Sequence, residues 1–169
     1  RDKGGIPLIW KTGHSLIKAK MKETNAILAG EMSGHTFFCD KWYGFDDGLY
    51  AGARLLEILS HFDDPSSVLE ALPKGFSTPE LNIKLAEGEQ HSLIKTMQDN
   101  AIFPKALEII KIDGLRVEYD DGFGLMRASN TTPVIVLRFE ANTSADLGVI
   151  QDEFRSVLEM YVDRDDIPF

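Results

Sequence analysis

The sequence predicts an α/β segment followed by a separate α+β domain. Over the first 62 residues, short apolar runs of strand length alternate with helical repeats that are apolar on one side. The stretch "DDPSSVLEALPKGFSTPE" then breaks every periodicity with three prolines and several small polar residues. Beyond it, strand-like runs follow one another across Asp-Gly and Asn turns, with one amphipathic helix among them and another at the end.

In order, "IPLIW" (residues 6–10) reads as a short strand. "TGHSLIKAKMKETN" reads as a helix, with Leu16, Ile17 and Met21 at helical spacing and Lys18, Lys20 and Lys22 on other faces. "AILAG" is a buried strand and "TFFCDKWYGF" an aromatic-rich one. Asp46 is read as the N-cap of "DGLYAGARLLEILSHF", where Leu49, Ala53, Leu56 and Leu59 share a side. This order has too few strands for a complete α/β sheet, and the chain opens on Arg1 in a polar, turn-like "RDKGG". Residues 1–62 are therefore read as the C-terminal part of a partial, mixed-sheet α/β domain, and residues 63–78 as a linker containing one short helix.

Residues 79–169 are read as β-α-β-β-β-α, an α+β domain. "ELNIKL" alternates like a half-buried strand. "GEQHSLIKTMQDN" is helical, with Leu93, Ile94 and Met97 apolar. "ALEIIKID", "GLRVEYDD", "GFGLMRAS" and "TPVIVLRFEA" are strand-like. The closing helix carries Leu147, Ile150, Phe154, Val157 and Tyr161 on one face, with Thr143 and Asp146 placed like a capping box.

The apolar fraction is 43% of 169 residues, enough for real cores. A formal net charge of −9 argues against non-specific binding to nucleic acid or to an anionic membrane. It leaves room for a local basic pocket. Cys39 is the one cysteine, so no disulfide forms within the chain; among aromatics it is read as a buried strand residue. No apolar run approaches a membrane span and no signal peptide opens the chain, so a cytoplasmic setting is expected.

Three stretches carry candidate chemistry. In "GEMSGH" (residues 30–35), Glu31, Ser33 and His35 alternate and would share a face if extended. A carboxylate and a hydroxyl suit vicinal hydroxyls of a ligand, and an imidazole beside them moves a proton near neutral pH. The other reading is a polar loop whose Glu31 and His35 pair with each other. In "KTGHSLIK", His14 opens a helix, where donors face an anion, or is simply a first-turn residue. In "RASNTTP" (residues 127–133), an Arg fork, hydroxyls, an amide and backbone N–H groups gather in a tight turn, as a phosphate ester needs. The alternative is a plain hairpin turn. "FDDG" and "YDDG" are turns or caps rather than metal sites, since no third carboxylate has suitable spacing. His61 and His91 read as surface residues, and Lys18 as part of an exposed basic face.

Together "KTGHSLIK", "GEMSGH", "WYGFDDGLYAGARLLEIL" and "RASNTTPVIVLRFEA" resemble, in order and spacing, the C-terminal part of the bacterial phosphomannomutase/phosphoglucomutase family, within the α-D-phosphohexomutase superfamily. The resemblance covers nearly the whole chain. It implies four domains around a deep cleft, with this chain holding part of domain 3 and all of domain 4, the latter of TATA-binding-protein-like type. It implies an isomerase acting on mannose and glucose phosphates. Hexose 6-phosphate and hexose 1-phosphate interconvert through a phosphoserine enzyme, with glucose 1,6-bisphosphate as intermediate and activator. The phosphoserine belongs to domain 1 and the Mg²⁺ loop to domain 2. This chain is therefore expected to bind neither cofactor, to be inactive alone, and to have the missing N-terminal domains and a hexose phosphate as its partners.

By the same match Glu31 and Ser33 hold the O3 and O4 hydroxyls, which glucose and mannose share. His35 stands near the transferring group as the catalytic candidate, either handling a proton or acting as an electrostatic partner, and His14 contacts the ligand. Arg127, Ser129, Asn130 and Thr131, with Thr132 as a further donor, bind the phosphate that is not transferred. Ala128 stands where some relatives carry Pro. Two other readings stay open: a stand-alone phosphosugar-binding module, and part of a phosphoglucosamine mutase. Met32 favours mannose and glucose phosphates over the latter.

Overall fold

The structure, a computed structural model, describes residues 4–169, so the first three residues of the opening turn lie outside the described ones. The chain divides into two units, Arg1–Pro73 and Lys74–Phe169.

In the first unit the apolar run at residues 6–10 forms no strand. A strand needs a neighbour to take its backbone hydrogen bonds, and here Ile6 stays 97% exposed. Helix α1 (His14–Thr24) follows Gly13 and stops at Asn25, whose short amide side chain tolerates the left-handed φ of 54°. Ile17 and Met21 face inward as the spacing predicts and close over Phe37, forming a small core with Ala26 and Ala29 at its edge. Leu16 turns outward.

Strands β1 (Leu28–Gly30) and β2 (Thr36–Phe38) pair as an antiparallel hairpin, Ala29 opposite Phe37. Both are shorter and more exposed than the sequence reading. The aromatic run bends at Lys41 (φ 57°) and Gly44 (φ 76°). The Gly44 N–H returns to the Phe38 carbonyl at 2.8 Å. A side chain at Gly44 would meet Cys39 Sγ at 2.7 Å, so only glycine fits this turn. Cys39 is consequently exposed at the strand's end, not buried within it. The returning chain lays Asp46 against Phe37 as a lone β-bridge.

Asp47, not Asp46, caps helix α2 (Gly48–Leu59), accepting the Tyr50 N–H at 3.0 Å. The expected apolar stripe of α2 buries nothing: Leu49 is 90% exposed and Leu56 68%. Helix α3 (Pro65–Glu70), inside the stretch read as linker, is capped by Asp64 and has Pro65 in its first turn.

The second unit is one antiparallel sheet with helices α4 (Glu89–Asn100) and α5 (Ser144–Leu158) packed on it. Its strands are β3 (Phe76–Ser77), β4 (Leu81–Lys84), β5 (Glu108–Ile110), β6 (Leu115–Tyr119), β7 (Gly122–Ala128) and β8 (Val134–Ala141). Four strands lie between the two helices, one within each of the four strand-like runs, so the β-α-β-β-β-α order is one strand short; the three-residue β5 forms the edge beside β6. β8 pairs with β7 on one side and with β3 and β4, end to end, on the other. The segment read as linker therefore contributes β3 to this sheet.

Alternation along β7 sends Gly124 and Met126 to the helical side and leaves Leu125 and Arg127 on the other. Phe154 of α5 lies over Gly124 and touches Phe103 and Phe139, with ring centroids 4.9 and 5.0 Å away. Helix α5 starts as predicted: Thr143 Oγ1 accepts the Asp146 N–H at 3.1 Å. Ile150, Phe154 and Val157 form its buried face, and Tyr161 falls just beyond its end. An α/β-type segment of helix and hairpin thus precedes an α+β sheet domain.

Candidate functional site

The "GEMSGH" stretch is the turn of the β1–β2 hairpin. The Glu31 N–H donates to the His35 carbonyl at 2.9 Å, and the Gly34 N–H donates to the Glu31 carbonyl at 2.9 Å. Gly34, at φ 95°, supplies the left-handed step. Glu31, Ser33 and His35 therefore lie on a tight turn, not along an extended strand.

Glu31 Oε1 accepts the Gly13 N–H at 2.7 Å. That bond ties the hairpin turn to the start of α1, whose first residue is His14. Two residues that the sequence keeps 18 positions apart are thereby joined at one carboxylate. His14 is exposed, with Nδ1 3.4 Å from Ser15 Oγ. Ser33 and Met32 are exposed at the tip.

His35 does not pair with Glu31. Its Nδ1 lies 2.5 Å from Asp46 Oδ2. Sequence reasoning missed both Asp46 and the Gly13 N–H. "FDDG" offered two carboxylates for one cap. Since Asp47 takes the cap, the second was the available signal.

In the second unit, residues 129–133 join β7 to β8. Ser129 is 7% exposed. Its Oγ accepts the Thr131 and Thr132 N–H groups at 3.3 and 3.2 Å and stands 2.9 Å from Thr132 Oγ1. The Ser129 hydroxyl thus braces the turn from inside, while Asn130, Thr131 and Thr132 are exposed on it. The side chain of Arg127, half-buried near the end of β7, makes no hydrogen bond or ion pair with a described residue. Its guanidinium fork is open to an anion beside a turn rich in neutral donors.

No group of three His, Cys, Asp or Glu among the described residues is placed to hold a metal ion. No helix among the described residues is long and apolar enough to cross a membrane.

Two family models match the chain: "Phosphoglucomutase/phosphomannomutase, alpha/beta/alpha domain III" over residues 1–76 and "Phosphoglucomutase/phosphomannomutase, C-terminal domain" over residues 80–157. A phosphoglucomutase of Neisseria gonorrhoeae is 61% identical over 160 residues, which span 94% of this chain and 35% of that protein. A phosphomannomutase/phosphoglucomutase of Pseudomonas aeruginosa is 53% identical over 167 residues, 98% of this chain and 36% of that one. The crystal structure of a phosphoglucomutase/phosphomannomutase family protein from Burkholderia thailandensis superposes with a TM-score of 0.90 at 58% identity, covering 99% of this chain and 35% of that one. The chain spans about a third of the length of these relatives. The two domain matches, read with the hairpin site in one unit and the donor-rich turn in the other, establish that the chain belongs to the phosphoglucomutase/phosphomannomutase family.

Proposed function

We propose that this chain is the hexose-phosphate-recognising portion of a phosphohexomutase, a protein that interconverts hexose 6-phosphate and hexose 1-phosphate. The observation that carries the reading is the fixed Glu31. One carboxylate oxygen is held by the Gly13 N–H, and no described residue bonds the other. A carboxylate anchored on one side is preorganised to accept hydroxyl donors on the other. With Ser33 beside it, it suits the O3 and O4 hydroxyls common to glucose and mannose. His14, next to Gly13, adds a contact to the same ring. The names of the relatives, phosphoglucomutase and phosphomannomutase/phosphoglucomutase, support mannose and glucose phosphates as substrates.

Arg127 and the donors of Asn130, Thr131 and Thr132 hold the phosphate that is not transferred, with Ser129 bracing their turn. Phosphoryl transfer depends mainly on positioning and charge stabilisation. These residues supply the positioning. His35 takes the proton from the attacking sugar hydroxyl and returns it to the same ring position in the reverse direction. The phosphoryl donor comes from other domains of the longer protein, so the chain is inactive alone. Residues 1–62 then form the sugar-binding part, 63–78 the connection and 79–169 the phosphate-binding domain.

Titration of this chain with glucose 1-phosphate, followed by backbone-amide NMR, tests the reading. Shifts at residues 127–132 with the ester, and none there with free glucose, are expected. Equal shifts with both, or a response confined to residues outside the two loops, would refute the assignment of the phosphate anchor.

A further inference from the structure

We propose that Asp46 is a positioning residue for His35, holding its imidazole in the tautomer that leaves Nε2 free to accept a proton. The inference rests on the reading of His35 as the proton-handling group.

The geometry is specific. The chain turns back after β2 at Lys41 and Gly44, and Asp46 bridges to Phe37, two residues beyond His35. Its Oδ2 comes within 2.5 Å of His35 Nδ1. An ionised carboxylate only accepts hydrogen bonds, so the proton of a neutral His35 ring sits on Nδ1 and the lone pair on Nε2. No described residue bonds Nε2. The ring is thus fixed in orientation, with its basic nitrogen unoccupied.

Structural duties do not explain this carboxylate. The helix cap is made by Asp47. Burial is modest, with the His35 and Asp46 side chains 52% and 34% exposed. Exposed pairs of this kind add little to stability. Holding one imidazole tautomer beside the Glu31 turn is the remaining consequence of the contact.

Two measurements test it. Nitrogen-15 chemical shifts of the His35 ring, read on this chain at a pH where the ring is neutral, are expected to show a single Nδ1–H tautomer. Asp46→Asn should convert it to a mixture while the amide spectrum elsewhere is retained. In the longer mutase carrying these residues, Asp46→Asn should lower kcat about 10- to 100-fold, a part of the 10²–10⁴-fold that a positioned base supplies, with KM for hexose phosphate within about twofold. An unchanged tautomer, or a raised KM with unchanged kcat, would overturn the proposal. If His35→Asn itself leaves kcat unchanged while Asp46→Asn still shifts the tautomer, the reading of His35 as the base fails and takes the catalytic role of Asp46 with it, although the pairing stands.

Discussion

The packing of Phe154 on Gly124 predicts strong energetic coupling between the two positions. A methyl group at residue 124 would stand 2.3 Å from Phe154 Cε2 and 2.5 Å from Cζ. Carbon atoms in contact stay about 3.5–4.0 Å apart. The ring is fully buried between Phe103 and Phe139 and has nowhere to retreat. Gly124→Ala should therefore cost about 1–3 kcal/mol through overpacking, after a small gain from the stiffer strand. Phe154→Ala should cost about 3–5 kcal/mol by opening a cavity. In the double variant the clash is gone and the new methyl fills part of the void. Its cost should fall below that of Phe154→Ala alone, a coupling of about 2–3 kcal/mol. Both tryptophans, Trp10 and Trp42, lie in the first unit, so fluorescence would follow the wrong part of the molecule. Hydrogen exchange of the β7 and β8 amides reads the stability of the sheet directly. Costs that add to within about 0.5 kcal/mol would refute the packing argument. Arg127 lies three residues further along the same strand, so the coupling also reports on the scaffold of the turn at residues 129–133.

Other outcomes follow from the same contacts. Glu31→Gln keeps an oxygen for the Gly13 N–H and should leave the hairpin amides in place, whereas Glu31→Ala should shift the Gly13 and His14 amides; equal spectra for both variants would show that the Gly13 bond does not hold the turn. Arg127→Ala should weaken binding of glucose 1-phosphate by about 1.5–3 kcal/mol, roughly 10-fold or more, read by the same NMR titration; unchanged affinity would remove Arg127 from the anchor. Thr143→Ala removes the α5 cap and should cost about 1 kcal/mol in urea denaturation. Burial, and then the Glu153 carboxylate, push the Tyr119 phenol well above its ordinary range. A raised folded pKa means stability is full below the unfolded value near 10 and falls as pH rises above it. The native chain should therefore lose about 1.4 kcal/mol per pH unit above 10 that Tyr119→Phe does not lose. Parallel stability curves for the two proteins between pH 9 and 11 would contradict this.

Local pattern determined a good deal of this protein. The alternating β6, β7 and β8, the one-sided α4 and α5 and the Thr143 cap were legible because each is set by side-chain spacing within one segment. The residues of the candidate loops were legible for a similar reason: small and polar side chains crowd where apolar runs stop. Tertiary structure decided whatever depended on a distant neighbour. Residues 6–10 have strand composition but no strand to pair with, and the stripe of α2 has leucines but nothing covering them. Composition records a preference for burial and cannot supply the partner. Cys39 was displaced from the interior by a turn that only the positive φ of Gly44 reveals. Above all, the fixing of Glu31 by a backbone N–H 18 residues away, and of His35 by a carboxylate 11 residues away, arises from where the chain returns. Sequence names the groups that can do chemistry here, but a hydrogen bond between distant segments is set by three-dimensional approach, and so the tertiary structure alone selects which of them are held ready.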